Sequence, residues 1–486
     1  MHARKSEAKS TMKKIITVAV AALGFVSALA AQVSAPNILV VLSDDHSAPH
    51  LGCYGNPDVM TPNLDKFASQ GVRFDRAYVT SPQCAPSRAS IFTGRSPLAV
   101  GMSRFAAPLP REFKTFPEYL REKGWFTGVA GRSHHMDADG YVKSSGSKDI
   151  IERHHLVTFP DRFDYVKTTL SNDVALVQMR EFLDLKPTSK PFFLQLCSTD
   201  PHRPLNTHGP VKHDPNKIKL PASHPDTPKI REDFARYYDE IAHFDGFFGQ
   251  VMAELEKRGL SENTIVVFMG DNGASQFRGK GTLYELGIHV PLLVRWPGRV
   301  SAGRSSGELI SGEDLAPTLL EAAGVAVPAE MTGKSILPLL EGRPFVGRDY
   351  VFSQRGPHGI GLPTQSAAFD IGRVVITKTH KLIYNAMWQI PFTPLDYLND
   401  AFWKELVQMH KEGKLSEQTE RLYFAPHRPM FELFNLAKDP DEFVNLAGKP
   451  EAIEVENKLK KAMQEWMILE RDIVNLPIPA GNSDRY

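Results

Sequence analysis

Two short acidic pairs follow two strongly apolar stretches of the sequence. Asp44 and Asp45 come directly after one aliphatic run. Asp271 and Asn272 come directly after another. If the two runs are neighbouring strands of one sheet, four oxygen-bearing side chains converge at its carboxyl edge. Oxygen ligands favour a hard cation, Ca²⁺ or Mg²⁺, over zinc. The alternative is that each pair caps the turn or helix after its strand, as Asp and Asn often do.

Cys84 lies between two prolines in the stretch SPQCAPSRASIFTGR, and Ser87 and Arg88 follow it closely. A cysteine in such a setting can be a nucleophile, a metal ligand, a redox thiol or a buried side chain, and burial is the commonest case. The other cysteines are Cys53 and Cys197, and three cysteines cannot all pair. The sequence therefore predicts no disulfide framework, and the residue type alone leaves the role of Cys84 open.

Three cationic or titratable side chains follow other apolar runs. His134 follows GVAGR, His202 follows LCSTDP, and Lys280 stands in RGKGTLYELG. A cluster of Lys, Arg and His at strand ends suits an oxyanion, with histidine available for proton transfer near neutral pH. A lone histidine in a loop is more often polar surface, so this interpretation depends on the three groups meeting. No G-x-S-x-G elbow in a strand-turn-helix context and no G-x-x-x-x-G-K-[ST] loop occurs, which argues against a serine hydrolase and a nucleotide cradle.

The elements that must position these side chains are buried strands that alternate with helices. Apolar runs predict strands at 38–42, 126–132, 191–202, 264–273 and 290–298. This alternation indicates an α/β domain with a mostly parallel sheet. From about residue 345 the pattern changes to a hairpin, a further strand and a long amphipathic helix over 451–472. We therefore predict a main domain over residues 32–345 and a smaller C-terminal α+β domain over residues 346–486.

The N-terminus has the pattern of an export signal. Lys13 and Lys14 precede an apolar run over 15–30 that ends in an A-x-A sequence. Because a membrane span needs about 20 apolar residues, we expect residues 1–31 to be a cleaved signal peptide rather than a retained anchor. The protein is then expected to be periplasmic or secreted, with no stable membrane span after cleavage.

The charge balance argues against a nucleic-acid partner. The chain carries 57 Lys and Arg residues against 56 Asp and Glu residues, a formal net charge of +1. Nucleic-acid binding usually requires a strong basic excess. A local basic pocket for a small anionic substrate remains compatible with this balance.

The segment CAPSR, residues 84–88, matches the C-x-P-S-R signature of the type I sulfatases of the alkaline phosphatase superfamily. The blocks DDHSAPHLGCYGN, TPNLDKFASQGVRFDRAYV, DPHRP, GDNG and GKGTLYELGIHVPLLVRWPG also resemble sulfatase blocks and occur in the family's order. The resemblance covers essentially the whole chain after the N-terminal signal. It implies an alkaline phosphatase-like fold, with a mostly parallel sheet sandwiched by helices and a smaller C-terminal α+β domain.

The resemblance also implies the chemistry. Cys84 is expected to be oxidised to formylglycine by a sulfatase-maturing enzyme, and one hydroxyl of the hydrated aldehyde then attacks sulfur. The second hydroxyl provides an internal route for expelling sulfate, which a plain serine ester lacks. The residues expected to hold one Ca²⁺ are Asp44, Asp45, Cys84, Asp271 and Asn272. The expected catalytic residues are Cys84, Arg88, His134, His202 and Lys280.

Each of these matches implies a separate role. Arg88 is expected to steady the formylglycine and the metal-site carboxylates, and His134 to take part in the release of sulfate. His202 and Lys280 are expected to bind sulfate and assist the leaving group. Arg132 departs from the family, which usually has G-K-x-H where this chain has GRSH. Because arginine can hold sulfate bidentately but cannot donate its proton, we expect Arg132 to bind the sulfate of the substrate or the diol.

The expected substrate is a sulfated glycan. The stretch KLIYNAMWQIPFTPLDYL (381–398) is similar to N-sulfoglucosamine sulfohydrolases, the heparan N-sulfatases. A heparan-type glycan is therefore the leading expectation, with sulfate ester or N-sulfate left open. His358, Arg355 and Trp388 either reach the glycan or pack within the C-terminal domain. The alternatives are a phosphonate or phosphodiester hydrolase of the same superfamily and a non-catalytic glycan-binding relative.

Overall fold

The apolar runs predicted as strands form the centre of a large sheet. The computed structural model describes residues 35–105, 108–137, 148–205, 212–358 and 369–477, without the side chains of His134 and of residues 148–150. The strands are β1 (Asn37–Ser43), β2 (Val72–Phe74), β3 (Ala77–Tyr78), β4 (Phe126–Gly131), β5 (Tyr165–Val166), β6 (Phe192–Cys197), β7 (Thr264–Gly270), β8 (Leu292–Arg295), β9 (Arg304–Ser306), β10 (Ile310–Ser311), β11 (Val351–Arg355), β12 (Gly372–Ile376), β13 (His380–Asn385) and β14 (Phe431–Asn435).

Helices of very different lengths connect these strands. They are α1 (Pro62–Ser69), α2 (Cys84–Thr93), α3 (Phe116–Glu122), α4 (Lys148–Arg153), α5 (Phe159–Arg162), α6 (Asn172–Leu185), α7 (Pro228–Lys257), α8 (Glu285–Ile288), α9 (Leu315–Ala322), α10 (Leu337–Leu340), α11 (Ala401–Lys411), α12 (Glu417–Tyr423) and α13 (Ile453–Leu469). Short 3-10 turns occupy Ala48–His50, Gly52–Tyr54, His134–Met136, Ser261–Asn263, Gly312–Asp314 and Pro450–Ala452.

The main sheet has eight strands in the order β5-β4-β6-β1-β7-β8-β2-β9. Strand β1 lies between β6 and β7 and is parallel to both. Every residue of β1 and β7 is buried, as expected for strands that are covered by helices on both faces. Only β8 runs antiparallel to its neighbours. The mostly parallel α/β fold is thus confirmed, and the strands β4, β6, β1 and β7 end at the same edge of the sheet.

A second sheet lies in the C-terminal part of the chain. It is antiparallel, with the order β11-β12-β13-β14. The long predicted helix is α13, and it begins at Ile453 after a 3-10 turn rather than at residue 451. Leu459 and Met463 of α13 share a core with Leu382 and Leu433 of this sheet. The smaller C-terminal α+β region is therefore confirmed.

Residues Pro36–Tyr486 form one compact unit. The division of this unit at residue 345 stays a prediction, and the predicted signal peptide, residues 1–31, lies outside the described residues. Within the ranges given above, no helix has the length and apolar character needed to cross a membrane.

Candidate active site

The two acidic pairs meet because their strands are neighbours in register. Ser43 of β1 lies opposite Gly270 of β7, so the residues that follow the two strands emerge at the same edge of the sheet. The backbone N–H of Asp45 donates to Oδ1 of Asp271 at 3.1 Å. Nδ2 of Asn272 donates to Oδ1 of Asp45 at 2.8 Å. The structure thus brings together the oxygen donors that the sequence predicted at this edge.

The backbone at Asp45 has a conformation that few side chains adopt. Its φ is 65°, in the left-handed region where residues other than glycine are uncommon. The hydroxyl of Tyr237 in α7 donates to the Asp45 carbonyl at 2.9 Å, and Asp45 is fully buried. Such a conformation persists only where surrounding contacts hold it, which is typical of functional sites.

Cys84 is the first residue of α2 and is buried. Its Sγ lies 3.4 Å from Oδ1 of Asp44 and 4.0 Å from Oδ1 of Asp45. Burial and the charge of Asp44 raise the pKa of the Cys84 thiol well above its usual value. A reactive or metal-binding cysteine needs its thiolate, so this environment opposes the use of Cys84 as a thiol nucleophile or redox thiol.

Arg88 lies one helical turn after Cys84 and ties the strand ends together. Its side chain is fully buried, with Nη2 3.0 Å from Oδ2 of Asp44 and Nε 2.8 Å from Oδ2 of Asp271. Nη1 also donates to the carbonyl of Arg132 at 2.8 Å and contacts Sγ of Cys197 at 3.2 Å. Spacing of four residues places Cys84 and Arg88 on one face of α2, and that face points to the ends of β1, β7, β4 and β6.

Arg132 stands directly after β4 and contacts the same carboxylate. Its Nε lies 2.8 Å from Oδ2 of Asp44, and its side chain is 12% exposed. Burial by itself would raise the pKa of Asp44, but the permanent charges of Arg132 and Arg88 help to hold that pKa well below its usual value. Asp44 is therefore an ionised carboxylate, and Arg132 lies close enough to the surface to receive an anion as well.

Lys280 and His202 lie close to Asp45, the second buried carboxylate of the site. Nζ of Lys280 lies 2.8 Å from Oδ1 of Asp45 and 2.7 Å from Oδ2 of Asp396. Nε2 of His202 lies 3.8 Å from Oδ2 of Asp45 and 3.9 Å from Oδ2 of Asp396. Sequence reasoning missed Asp396, which stands in the loop before α11. Its only signal was its position within the stretch 381–398, and nothing in the adjacent residues marks it as a site residue.

The histidines after β4 differ from the expectation. The predicted His134 has a side chain outside the described residues, so its role stays a prediction. The next residue, His135, is buried with Nδ1 3.8 Å from Oδ2 of Asp44. His135 also belongs to a group with Asp44, Cys84 and Asp271 whose ligand atoms lie close enough to hold a metal ion. Because the direction of a side chain in a 3-10 turn depends on where the turn begins, the sequence alone does not predict that His135 meets Asp44.

Residues 36–325 match the family model described as Sulfatase. The chain belongs to the sulfatase family. It is 29% identical over 458 residues to an ulvan-active sulfatase of Formosa agariphila, covering 92% of this chain and 84% of that relative. It is 26% identical over 478 residues to the N-sulphoglucosamine sulphohydrolase of Homo sapiens, covering 88% of this chain and 89% of that relative.

The solved structure of a 2-O GAG sulfatase has the same fold. It matches with a TM-score of 0.67 at 20% identity, over 93% of this chain and 96% of that chain. The fold is accordingly the alkaline phosphatase-like fold of the sulfatases. Together with family membership, this makes the chain a sulfuric ester hydrolase.

A further group of side chains surrounds the sulfatase site. Nε2 of Gln83 and Nδ1 of His358 lie 3.1 Å apart, and Nε2 of His358 lies 3.9 Å from Oδ1 of Asp396. The ring of Phe105 stacks on His358 at a centroid distance of 4.4 Å. His358 therefore lies beside Asp396, and its contact with the glycan stays a prediction. Arg355 and Trp388 have other contacts.

Arg355 joins the C-terminal part of the chain to the segment that carries Lys280, whereas Trp388 packs within the C-terminal part. Arg355 donates to the carbonyl of Gly281 and lies 3.0 Å from Asp370. Trp388 packs edge-on against His427 at 6.0 Å.

The carboxylate and amide oxygens of the sulfatase site are ligands that suit a hard divalent cation. Oδ1 of Asn272 is buried and has no hydrogen-bond partner among the described residues. Burial raises the pKa of Asp45 to about 8, because Lys280 offsets it only in part while Asp44 and Asp271 add repulsion. A cation placed among these oxygens would satisfy Asn272 and relieve the repulsion between the carboxylates. The residues present therefore fit the Ca²⁺ that the sequence predicted.

Proposed function

We propose that this sulfatase hydrolyses sulfate ester or N-sulfate groups of a sulfated glycan, with a heparan-type glycan as the leading substrate. In this proposal it acts through a formylglycine derived from Cys84 and one bound Ca²⁺. The observation that carries the proposal is the position of Cys84. It begins a buried helix with its Sγ 3.4 Å from a carboxylate oxygen, beside oxygen donors suited to Ca²⁺ and within the electrostatic reach of Lys280.

The calcium ligands in this proposal are the predicted ones, namely Asp44, Asp45, Asp271, Asn272 and the residue at position 84. When bound, Ca²⁺ supplies Lewis acidity that polarises the sulfate oxygens and lowers the pKa of a nearby hydroxyl. Arg88 keeps Asp44 and Asp271 in place for it, because its guanidinium spans the two carboxylates. His135 is a further candidate for holding Asp44 in orientation.

The change of Cys84 to formylglycine suits the surroundings of the thiol. The nearest described ligand atoms are carboxylate oxygens, and a hard cation prefers an oxygen to a sulfur at this position. Burial disfavours the thiolate, so Cys84 is poorly suited to act as a thiol nucleophile. The conversion requires a separate maturing enzyme, which is the protein partner that we propose.

Lys280 and His202 differ in their charge. Burial opposes protonation of Lys280, but Asp396 and Asp45 raise its pKa well above the usual value. Burial and the charges of Arg132 and Lys280 lower the pKa of His202 to about 3. At neutral pH Lys280 therefore carries the proton and attracts the sulfate, while neutral His202 can hydrogen-bond to it. Arg132 is the third side chain that we expect to bind the sulfate, and it is a permanent cation.

The glycan assignment is supported by the relatives. Their names refer to ulvan and to N-sulphoglucosamine, both of which are sulfated carbohydrates. The apolar N-terminal run supports export. We therefore propose that the protein is periplasmic or secreted, where such a polymer is accessible, and that residues 1–31 are removed.

The test is a substrate panel with protein matured in its native host. Aryl sulfate is compared with aryl phosphate, a phosphodiester and a phosphonate monoester, and then heparan, chondroitin and algal oligosaccharides are assayed for released sulfate. We expect aryl sulfate and a heparan-type oligosaccharide to be turned over fastest. Faster turnover of a phosphorus ester would favour the phosphonate or phosphodiester hydrolase. An unmodified thiol in the tryptic peptide 77–88 would favour the non-catalytic relative.

Arg132 offers a prediction about sulfate binding. Arg132→Lys keeps the positive charge but loses the planar fork, so we expect KM for aryl sulfate to rise about tenfold with little change in kcat. Arg132→Met removes the charge and is expected to lower kcat/KM by about 100-fold. Steady-state kinetics of the two variants test this. Wild-type kinetics in the Met variant would exclude Arg132 from the substrate site.

A further inference from the structure

Asp396 differs from the other carboxylates of the site in its exposure. Its side chain is 25% exposed, whereas those of Asp44 and Asp45 are fully buried. It borders a cleft of about 730 Å³ together with His202 and Asp400. Asp396 is therefore open to molecules in this cleft, while the buried carboxylates lie against Cys84.

The contacts of Asp396 place it beside the side chains that are expected to face the leaving group of the substrate. Its Oδ2 lies 2.7 Å from Nζ of Lys280 and 3.9 Å from Nε2 of His202. Its Oδ1 lies 3.9 Å from Nε2 of His358. If Lys280 and His202 hold the sulfate, the atom that joins sulfur to the sugar lies within reach of the Asp396 carboxylate.

Packing holds Asp396 in this position. Tyr397 is 1% exposed and shares a core with Phe277, Phe402 and Trp403. The backbone of Asp396 has a φ of 62°, a left-handed conformation that Asp and Asn tolerate better than most residues. The carboxylate is thus part of an anchored loop, with Phe277 linking that loop to the segment that carries Lys280.

Hydrolysis of the two kinds of sulfated sugar places different charges on the leaving atom. An N-sulfate and water give an amine, which takes up the proton to become an ammonium, and a sulfate dianion. An O-sulfate and water give a neutral alcohol, a sulfate dianion and a free proton. In the first case the S–N bond breaks, nitrogen keeps the electron pair and a cation forms there. In the second case the S–O bond breaks and the alcohol oxygen ends uncharged.

We propose that Asp396 is a specificity-determining residue that favours N-sulfated amino sugars over O-sulfated sugars. Its carboxylate accepts a hydrogen bond from the sulfamate N–H and stabilises the positive charge that develops on nitrogen. It gives no such stabilisation to an alcohol leaving group. This inference rests on the proposed function and selects between the two bond types left open there.

The test compares Asp396→Asn with the wild type on matched glucosamine substrates. One substrate carries a single N-sulfate, and the other carries an N-acetyl group and a 6-O-sulfate. Asparagine fits the left-handed backbone and removes only the charge. We expect kcat/KM for the N-sulfate to fall at least about tenfold more than kcat/KM for the O-sulfate. Equal losses on both substrates would overturn the proposal and leave Asp396 as a positioning residue for Lys280.

Asp400→Asn is the matched control. Asp400 borders the same cleft, but its Oδ2 lies 2.6 Å from Nη1 of Arg203. We expect its substitution to leave the ratio of the two kcat/KM values unchanged, and a shift as large as that of Asp396→Asn would contradict a specific role for Asp396.

Turnover of aryl sulfate by the matured wild type distinguishes a failure of the proposed function from a failure of the role proposed for Asp396. Its absence, together with no glycan turnover, would contradict the proposed function. Aryl sulfate turnover without N-sulfate turnover would overturn only the role of Asp396. Formylglycine content and calcium content are measured for the wild type, Asp396→Asn and Asp400→Asn, and show whether the three proteins are equally matured.

Discussion

Cys84→Ala is expected to abolish turnover, by about a thousandfold or more, and to leave the fold intact. The substitution removes the thiol on which the conversion to formylglycine acts, so no aldehyde and no hydrated aldehyde can form at residue 84. The lost thiol is small, and a buried deletion of this size costs about 1 kcal/mol in the free energy of unfolding. Cys84→Ser keeps an oxygen nucleophile without the second hydroxyl, so we expect at most one turnover, with sulfate retained on residue 84.

Three measurements check this prediction. Steady-state assays with aryl sulfate give the loss of turnover, and mass spectrometry of the peptide 77–88 shows whether the Ser variant retains sulfate. Thermal unfolding shows whether either variant folds. Cys53→Ala is the control, because Cys53 is a half-buried cysteine in the 3-10 turn Gly52–Tyr54, and it is expected to keep full activity. Substantial activity in Cys84→Ala would contradict the proposed mechanism.

Asp271→Asn is expected to remove calcium and activity together. Oδ2 of Asp271 accepts a hydrogen bond from Nε of Arg88 at 2.8 Å, and its Oδ1 accepts one from the N–H of Asp45 at 3.1 Å. The amide keeps the shape but loses the charge, so both the metal and Arg88 lose an anionic partner. We expect calcium affinity to fall by about 100-fold or more, since even the loss of a residue that only orients a ligand costs about 10–100-fold.

Calcium content by elemental analysis and the calcium dependence of the melting temperature test this prediction. A ligand that binds only the folded protein stabilises it by about 2.7 kcal/mol at 100 times its Kd. The wild type is therefore expected to melt higher with calcium and the variant to respond weakly. Unchanged calcium content in Asp271→Asn would remove Asp271 from the ligand set.

Asp245→Asn controls for the loss of a buried carboxylate elsewhere. Asp245 lies in α7 and accepts a hydrogen bond from the N–H of Leu64 at 2.8 Å. It is expected to lose stability while retaining the calcium response, because its contacts are at the start of α1 rather than at the sheet edge.

The strands and the acidic pairs were predictable because both depend on local sequence. Continuous aliphatic runs form strands buried on both faces, and in β1 and β7 the polar pair directly follows the run. Only one assumption was needed, that the two strands are neighbours, and the parallel pairing of Ser43 with Gly270 satisfies it. The helical spacing of Cys84 and Arg88 is also local, since four residues along a helix return to the same face.

Other parts of the site could not be predicted from local sequence. The contact of His135 with Asp44 depends on a 3-10 turn whose geometry the residue types do not specify. The ion pair between Lys280 and Asp396 joins residues that lie far apart in sequence. Neither residue has neighbours that predict the other.

The sequence by itself indicated the family through the resemblance of CAPSR and its accompanying blocks to sulfatase motifs. It also indicated the sheet edge and the residue types that meet there, because strand ends and helix faces follow from short apolar patterns. The tertiary structure alone placed Asp396 beside Lys280 and His202. That placement depends on Tyr397 packing against Phe277 in a core whose members come from distant elements. Such a core fixes the position of the loop only after the whole chain has folded, so local sequence carries no signal for that position. The preference for an amine leaving group that we assign to Asp396 therefore depends on the tertiary structure.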